Sequence, residues 1–193
     1  IRGLFYRVNY TYDGKYMFEA NGRYDGTSRF PKDSRFGFFP SFSAGWRISE
    51  EAFMKNTKSF LSNLKLRASW GSIGNQIILK PDNTPENYPY IPSMSPYLTE
   101  WLVDGQKTTT LNAPAMVSSS FSWEKVYTLD FGVDFGFFDN RFNGTFDWYR
   151  RDTKGMLAPG MDLPWVVGAT AAKQNAADLK TYGWEPVSYT HLT

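Results

Sequence analysis

The chain has 193 residues, a net charge of +2, 18% aromatic residues, no cysteine and a single histidine, His191. That length suits one domain of ordinary size, and the near-neutral balance argues for neither nucleic acid nor an acidic partner. Without cysteine there is no disulfide framework or thiolate metal site, and one histidine cannot supply a multi-His metal site or a credible His-based triad.

No apolar run approaches the length of a membrane helix, which says nothing against membrane strands that carry a polar residue at every second position. Residues 4–12 alternate. Leu4, Tyr6, Val8, Tyr10 and Tyr12 share one face, and Arg7, Asn9 and Thr11 share the other. Asp13-Gly14 then supplies the turn chemistry of a tight hairpin. Residues 16–25 return, with Tyr16, Phe18, Ala20 and Tyr24 opposite Met17, Glu19, Asn21, Arg23 and Asp25. A solvated loop is expected over 26–38 and a third strand over 40–48, where Phe42, Ala44, Trp46 and Ile48 oppose Ser41, Ser43, Gly45 and Arg47. Residues 49–54 read as a short helical turn capped by Ser49. Residues 64–70 form a fourth strand, with Leu64, Leu66, Ala68 and Trp70 against Lys65, Arg67 and Ser69.

Residues 72–120 hold six of the eleven prolines and read as one long irregular stretch. The clearest hairpin follows over 127–151. Tyr127, Leu129, Phe131, Val133 and Phe135 oppose Thr128, Asp130, Gly132, Asp134 and Gly136. After a turn at Asp139-Asn140-Arg141, Phe142, Phe146 and Trp148 oppose Asn143, Thr145, Asp147 and Tyr149. A second long loop is expected over 152–177 and a seventh strand from 178 to 185.

Two architectures share this alternation. In a soluble carbohydrate-binding β-sandwich the apolar faces of two sheets meet. In a membrane β-barrel the apolar face meets lipid and the charged face lines a wet lumen. The connections favour the barrel: long ones follow strands two, four and six, so they gather at one end. Several runs also reach about ten residues, the length a tilted strand needs to cross a bilayer. The fold expected is all-β, an antiparallel up-and-down meander of about seven strands with long external loops. On this reading Arg7, Asn9, Glu19, Asn21, Arg23, Arg67, Asp130, Asp134 and Asp147 face the lumen.

No catalytic constellation stands out. Asp130 and Asp134 share a face but lie about 13 Å apart along a strand, too far for a working carboxylate pair. No phosphate-loop glycine pattern and no EF-hand spacing occurs. Neither a catalytic residue, a cofactor nor a metal is expected. Tyr97, Trp101 and Trp165, with Tyr88 and Tyr90, lie in the long loops, where aromatics stack on sugar rings, contact a partner or simply pack the loop.

Ordered stretches carry a resemblance. Gly3-Leu4-Phe5-Tyr6-Arg7-Val8-Asn9-Tyr10, residues 19–30 (EANGRYDGTSRF), residues 37–51 (GFFPSFSAGWRISEE), Leu64-Lys65-Leu66-Arg67-Ala68-Ser69-Trp70-Gly71 with Gly74-Asn75-Gln76, Trp123-Glu124-Lys125, and residues 175–181 (NAADLKT) with Gly183-Trp184-Glu185 resemble the SusC/RagA-type TonB-dependent outer-membrane transporters of Bacteroidetes. The resemblance implies a barrel of about 22 strands with a plug. It also implies a TonB complex as energy source, a SusD-like surface lipoprotein as lid, and oligosaccharide or peptide as cargo. Residues 1–185 would then be a piece of the barrel wall in the cell outer membrane, since about seven strands cannot close so wide a barrel. Pro186 breaks the family pattern, and residues 186–193 read as a non-native tail.

Overall fold

The computed structural model describes residues 2–79, 83–114, 116–118, 121–168 and 171–190. Seven strands form one antiparallel sheet: β1 (Arg2–Tyr12), β2 (Tyr16–Gly26), β3 (Phe36–Arg47), β4 (Leu61–Asn75), β7 (Glu124–Phe137), β8 (Phe142–Ala158) and β9 (Gln174–Thr190). Their order in the sheet is their order in the chain, which is an open meander. The two remaining strands, β5 (Pro96–Val103) and β6 (Gln106–Leu111), pair only with each other.

Turn chemistry closes the short end. Asp13 and Gly14 both adopt positive φ, 52° and 62°, and the Lys15 amide donates to the Tyr12 carbonyl at 3.0 Å. That is the turn twist a hairpin favours. At the β7–β8 turn, Phe138, Asp139 and Asn140 have φ of 53°, 53° and 62°. This turn is tied to the segment before β4: the Phe138 amide donates to the Phe60 carbonyl at 3.0 Å and the Asp139 amide to Ser62 Oγ at 2.7 Å.

The β3–β4 connection departs from expectation. It holds two 3₁₀ turns, Ile48–Glu50 and Ala52–Thr57, and no side chain caps either of them. Ser49 lies inside the first turn and is buried, so it is no N-cap. Glu51, extended at φ −73° and ψ 149°, divides the two turns.

At the other end lie the connections 27–35, 76–123 and 159–173. The second is not wholly irregular, because β5 and β6 fold back within it through Asp104-Gly105, both at positive φ. The third is shorter than the sequence suggests. β8 runs on to Ala158 and β9 begins at Gln174. β9 also continues through Pro186, opposite Phe146, to Thr190. It is the outer strand of the sheet, where a missing ladder donor is tolerated.

The sheet is a single layer. Among the described residues no second sheet covers its apolar face, which leaves out the sandwich. Leu4, Val8 and Tyr10 are 72%, 58% and 60% exposed on that face. Cross-strand ring pairs lie directly opposite one another: Tyr16 with Trp46 at 6.3 Å, Phe42 with Trp70 at 6.1 Å and Phe131 with Trp148 at 6.0 Å. Each such pair contributes roughly 0.2–1 kcal/mol. The buried core is small and sits at the long-connection end. Phe30 and Phe39 meet Trp123 edge-on at 5.4 and 5.2 Å, joined by Ile78 and Phe121.

Candidate functional site

Directly paired residues of an antiparallel sheet point to the same face, so the register sorts every strand at once. One face carries Tyr10, Phe18, Ala44, Ala68, Phe131, Trp148 and Trp184 along a single row. The other carries Asn9, Glu19, Ser43, Ser69, Asp130, Tyr149 and Gly183. The structure places Arg7, Asn9, Glu19, Asn21, Arg23, Arg67, Asp130, Asp134 and Asp147 together on this second, polar face.

Within it the charges form local networks. Arg7 Nη2 lies 2.9 Å from Glu19 Oε1, which also accepts from Asn21 Nδ2 at 3.0 Å. Arg23 pairs with Asp25 at 3.1 Å. Arg67 spans three strands: its Nε donates to Asp134 at 2.9 and 3.0 Å, and its Nη2 reaches Asp147 Oδ1 at 2.8 Å. Gly132 makes that reach possible. It sits between Arg67 and Asp147 in the register, and a Cβ built there would come within 2.7 Å of Arg67 Cζ. Asp130, opposite Ser69 and Tyr149, makes no ion pair among the described residues.

The short end is fastened differently. Glu51 Oε1 accepts from Tyr16 Oη at 2.5 Å and from Trp46 Nε1 at 3.1 Å. The Tyr16 hydroxyl first, and the Trp46 indole second, hold the Glu51 carboxyl below its ordinary range. Lys15 in the neighbouring turn is pushed up by its hydrogen bond to Asp13.

The aromatic candidates do not converge. Tyr97 and Trp101 both lie on β5 at the long-connection end and are 41% and 60% exposed. Trp165 falls in a 3₁₀ turn, Trp165–Val167, and its side chain lies outside the described residues. Tyr88 is exposed, while Tyr90 packs against the small core and its hydroxyl donates to the Ser28 carbonyl. Sequence reasoning missed the β5–β6 hairpin that carries Tyr97 and Trp101, although Asp104-Gly105 was its signal.

Among the described residues the polar wall arranges no nucleophile beside a base. It offers carboxylates, guanidinium groups, amides and hydroxyls on one face of the sheet.

The TonB dependent receptor-like β-barrel family matches residues 1–186. The TonB-dependent receptor SusC of Bacteroides thetaiotaomicron is 36% identical over 94% of this chain and 17% of its own length. The TonB-dependent receptor P26 of Formosa agariphila is 34% identical over 96% of this chain and 18% of its own length. Among solved structures, the RagAB peptide transporter superposes with a TM-score of 0.79 at 25% identity, covering 99% of this chain and 20% of that one. The siderophore receptor PirA of Pseudomonas aeruginosa shares the fold, with a TM-score of 0.58 at 16% identity. The chain thus spans about a sixth of the length of the curated relatives it matches.

Proposed function

Because the chain belongs to the TonB-dependent receptor-like β-barrel family and is of the SusC/RagA type, we propose that it forms part of the barrel wall of an outer-membrane active importer of glycans or peptides. A SusD-like lipoprotein acts as its lid and the TonB complex as its energy source. The outer membrane is where barrels of this family and type reside. The observation that carries the reading is the register-wide division of the sheet into an exposed apolar face and a charged face, with the long connections gathered at one end.

The role of the wall follows from that division. The apolar face meets lipid, where each charge at mid-bilayer would cost roughly 2–4 kcal/mol. The polar face lines the lumen, where Arg7, Glu19, Arg67, Asp134 and Asp147 hold water and polar solute without the desolvation of a dry interior. Tyr97 and Trp101, exposed on β5 beside the outer mouth, contact cargo or lid, and Trp165 in the next connection is a separate candidate for the same role. Passage makes and breaks no covalent bond, and the relatives are receptors and transporters.

Uptake tests this. Cells expressing the complete protein with its neighbouring lipoprotein should accumulate a labelled oligosaccharide or peptide, and deletion of TonB should abolish accumulation. Uptake unchanged without TonB would point to a passive pore.

A further inference from the structure

Arg2 at the outer end of β1 aside, the apolar face is free of charge along β1 to β4, whereas charges gather on it at the long-connection edge of β7 to β9. There the register puts Arg150 between Leu129 and Tyr182, and Asp152 between Tyr127 and Lys180. One step further out Lys125 and Lys154 stand directly opposite each other. Like charges in that position repel. Two ion pairs relieve part of the repulsion: Arg150 Nη2 with Asp152 Oδ2 at 2.8 Å, and Lys154 Nζ with Asp178 Oδ2 at 2.6 Å. Lys125 and Lys180 make no ion pair among the described residues. The patch therefore sets four cations against two carboxylates, and its inner border is aromatic: Tyr127, Tyr182 and Trp184.

A cation on the lipid face is strongly unfavourable at mid-bilayer and nearly neutral at the interface. Aromatic residues mark that interface. The patch thus sits at headgroup depth on the side of the long connections, and its surplus charge calls for an anion. Lysine ammonium groups bind phosphate as point charges.

We propose that this edge binds the phosphorylated headgroup of an outer-leaflet lipid, with Lys125 and Lys154 bracketing the phosphate and Lys180 closing on it from β9. Tyr127 and Tyr182 then lie at the boundary between headgroup and acyl chains. The assignment rests on the reading that the apolar face meets lipid and the long connections face outward.

The test uses the complete barrel protein, purified in detergent and incubated with monophosphoryl lipid A or with the same lipid after enzymatic dephosphorylation. Native mass spectrometry measures the lipid retained. The phosphorylated lipid is retained in preference to the dephosphorylated one. The K125Q/K180Q protein loses affinity by about fivefold for each lysine removed, while K65Q, on the polar face, is unchanged. Equal retention of the two lipids, or no change in K125Q/K180Q, overturns the site. A fluorophore on a single cysteine at Val8 or Tyr182, with brominated lipid as quencher, checks the underlying reading separately. Quenching without phosphate preference overturns only the site, whereas absent quenching overturns the lipid-facing assignment itself.

Discussion

Substituting Gly132 with alanine tests the reasoning about the polar wall at a single atom. The new methyl group enters the path of the Arg67 guanidinium, 2.7 Å from Cζ, and meets the Asp147 carboxylate as well. Two losses follow. The Arg67–Asp147 pair is 34% and 25% exposed, so after solvent screening it contributes about 0.5–1 kcal/mol. Crowding at a closely packed site adds about 1–3 kcal/mol. Gly132→Ala should therefore destabilise the barrel by about 1.5–4 kcal/mol, read as a lower denaturant midpoint for the complete protein in detergent. With Arg67→Ala already in place the methyl group meets only a carboxylate free to turn away, and its cost should drop to about 1 kcal/mol or less. A double-mutant cycle then gives a coupling of about 0.5–3 kcal/mol. If Gly132→Ala costs the same in both backgrounds, the glycine is not there to let Arg67 through.

Further outcomes follow from the rest of the wall. Val8→Arg puts a charge in the middle of β1 on the lipid side and should cost about 2–4 kcal/mol, whereas Asn9→Arg should assemble normally; the fraction of heat-modifiable folded barrel on gels compares them. Asn140→Ala forces alanine into a left-handed backbone and should cost about 1–2 kcal/mol, while Asn140→Gly should be near neutral in the same denaturant assay. Because its hydrogen bonds lower the Glu51 pKa on folding, Glu51 contributes stability that is full above its unfolded value and is lost as pH falls through the folded one. The native protein should therefore lose more stability than Glu51→Gln as pH drops from about 6 to about 3, measured by denaturant midpoints along the series.

Much of the sheet was legible because, wherever one side of a strand meets an apolar medium and the other meets water, the side chains alternate. The faces of β1 to β4 and the core of the β7–β8 hairpin follow that rule, with Phe5, Phe39 and Ile73 among the large apolar residues on the polar side. The outer ends of β8 and β9 look like loop in the sequence for the same reason. Past Arg150, where the proposed reading has the sheet leave the apolar layer and both faces wet, Arg150-Arg151-Asp152 shows no period of two although the ladder continues. The β5–β6 hairpin was hidden by prolines around it and by a register shift between Leu98 and Leu102, where buried Thr99 bonds to Trp101 and Thr108. Ser49 looked like a cap by residue type alone. In the fold Glu51 is recruited by Tyr16 and Trp46, which splits the segment into two turns with no capping side chain. The polar wall was visible residue by residue, but the bridge from Arg67 to Asp147 was not, because it depends on which residue of β7 lies between them.

Single cysteines in the naturally cysteine-free segment test the central claim most directly. They would be placed at Asn9, Asn21, Val8 and Phe18 of the complete protein in intact outer membranes and exposed to a membrane-impermeant, water-soluble maleimide. The account predicts labelling at Asn9 and Asn21 through the lumen and none at Val8 and Phe18, which lie in lipid. Equal labelling at all four positions would contradict the assignment of one face to water and the other to the membrane.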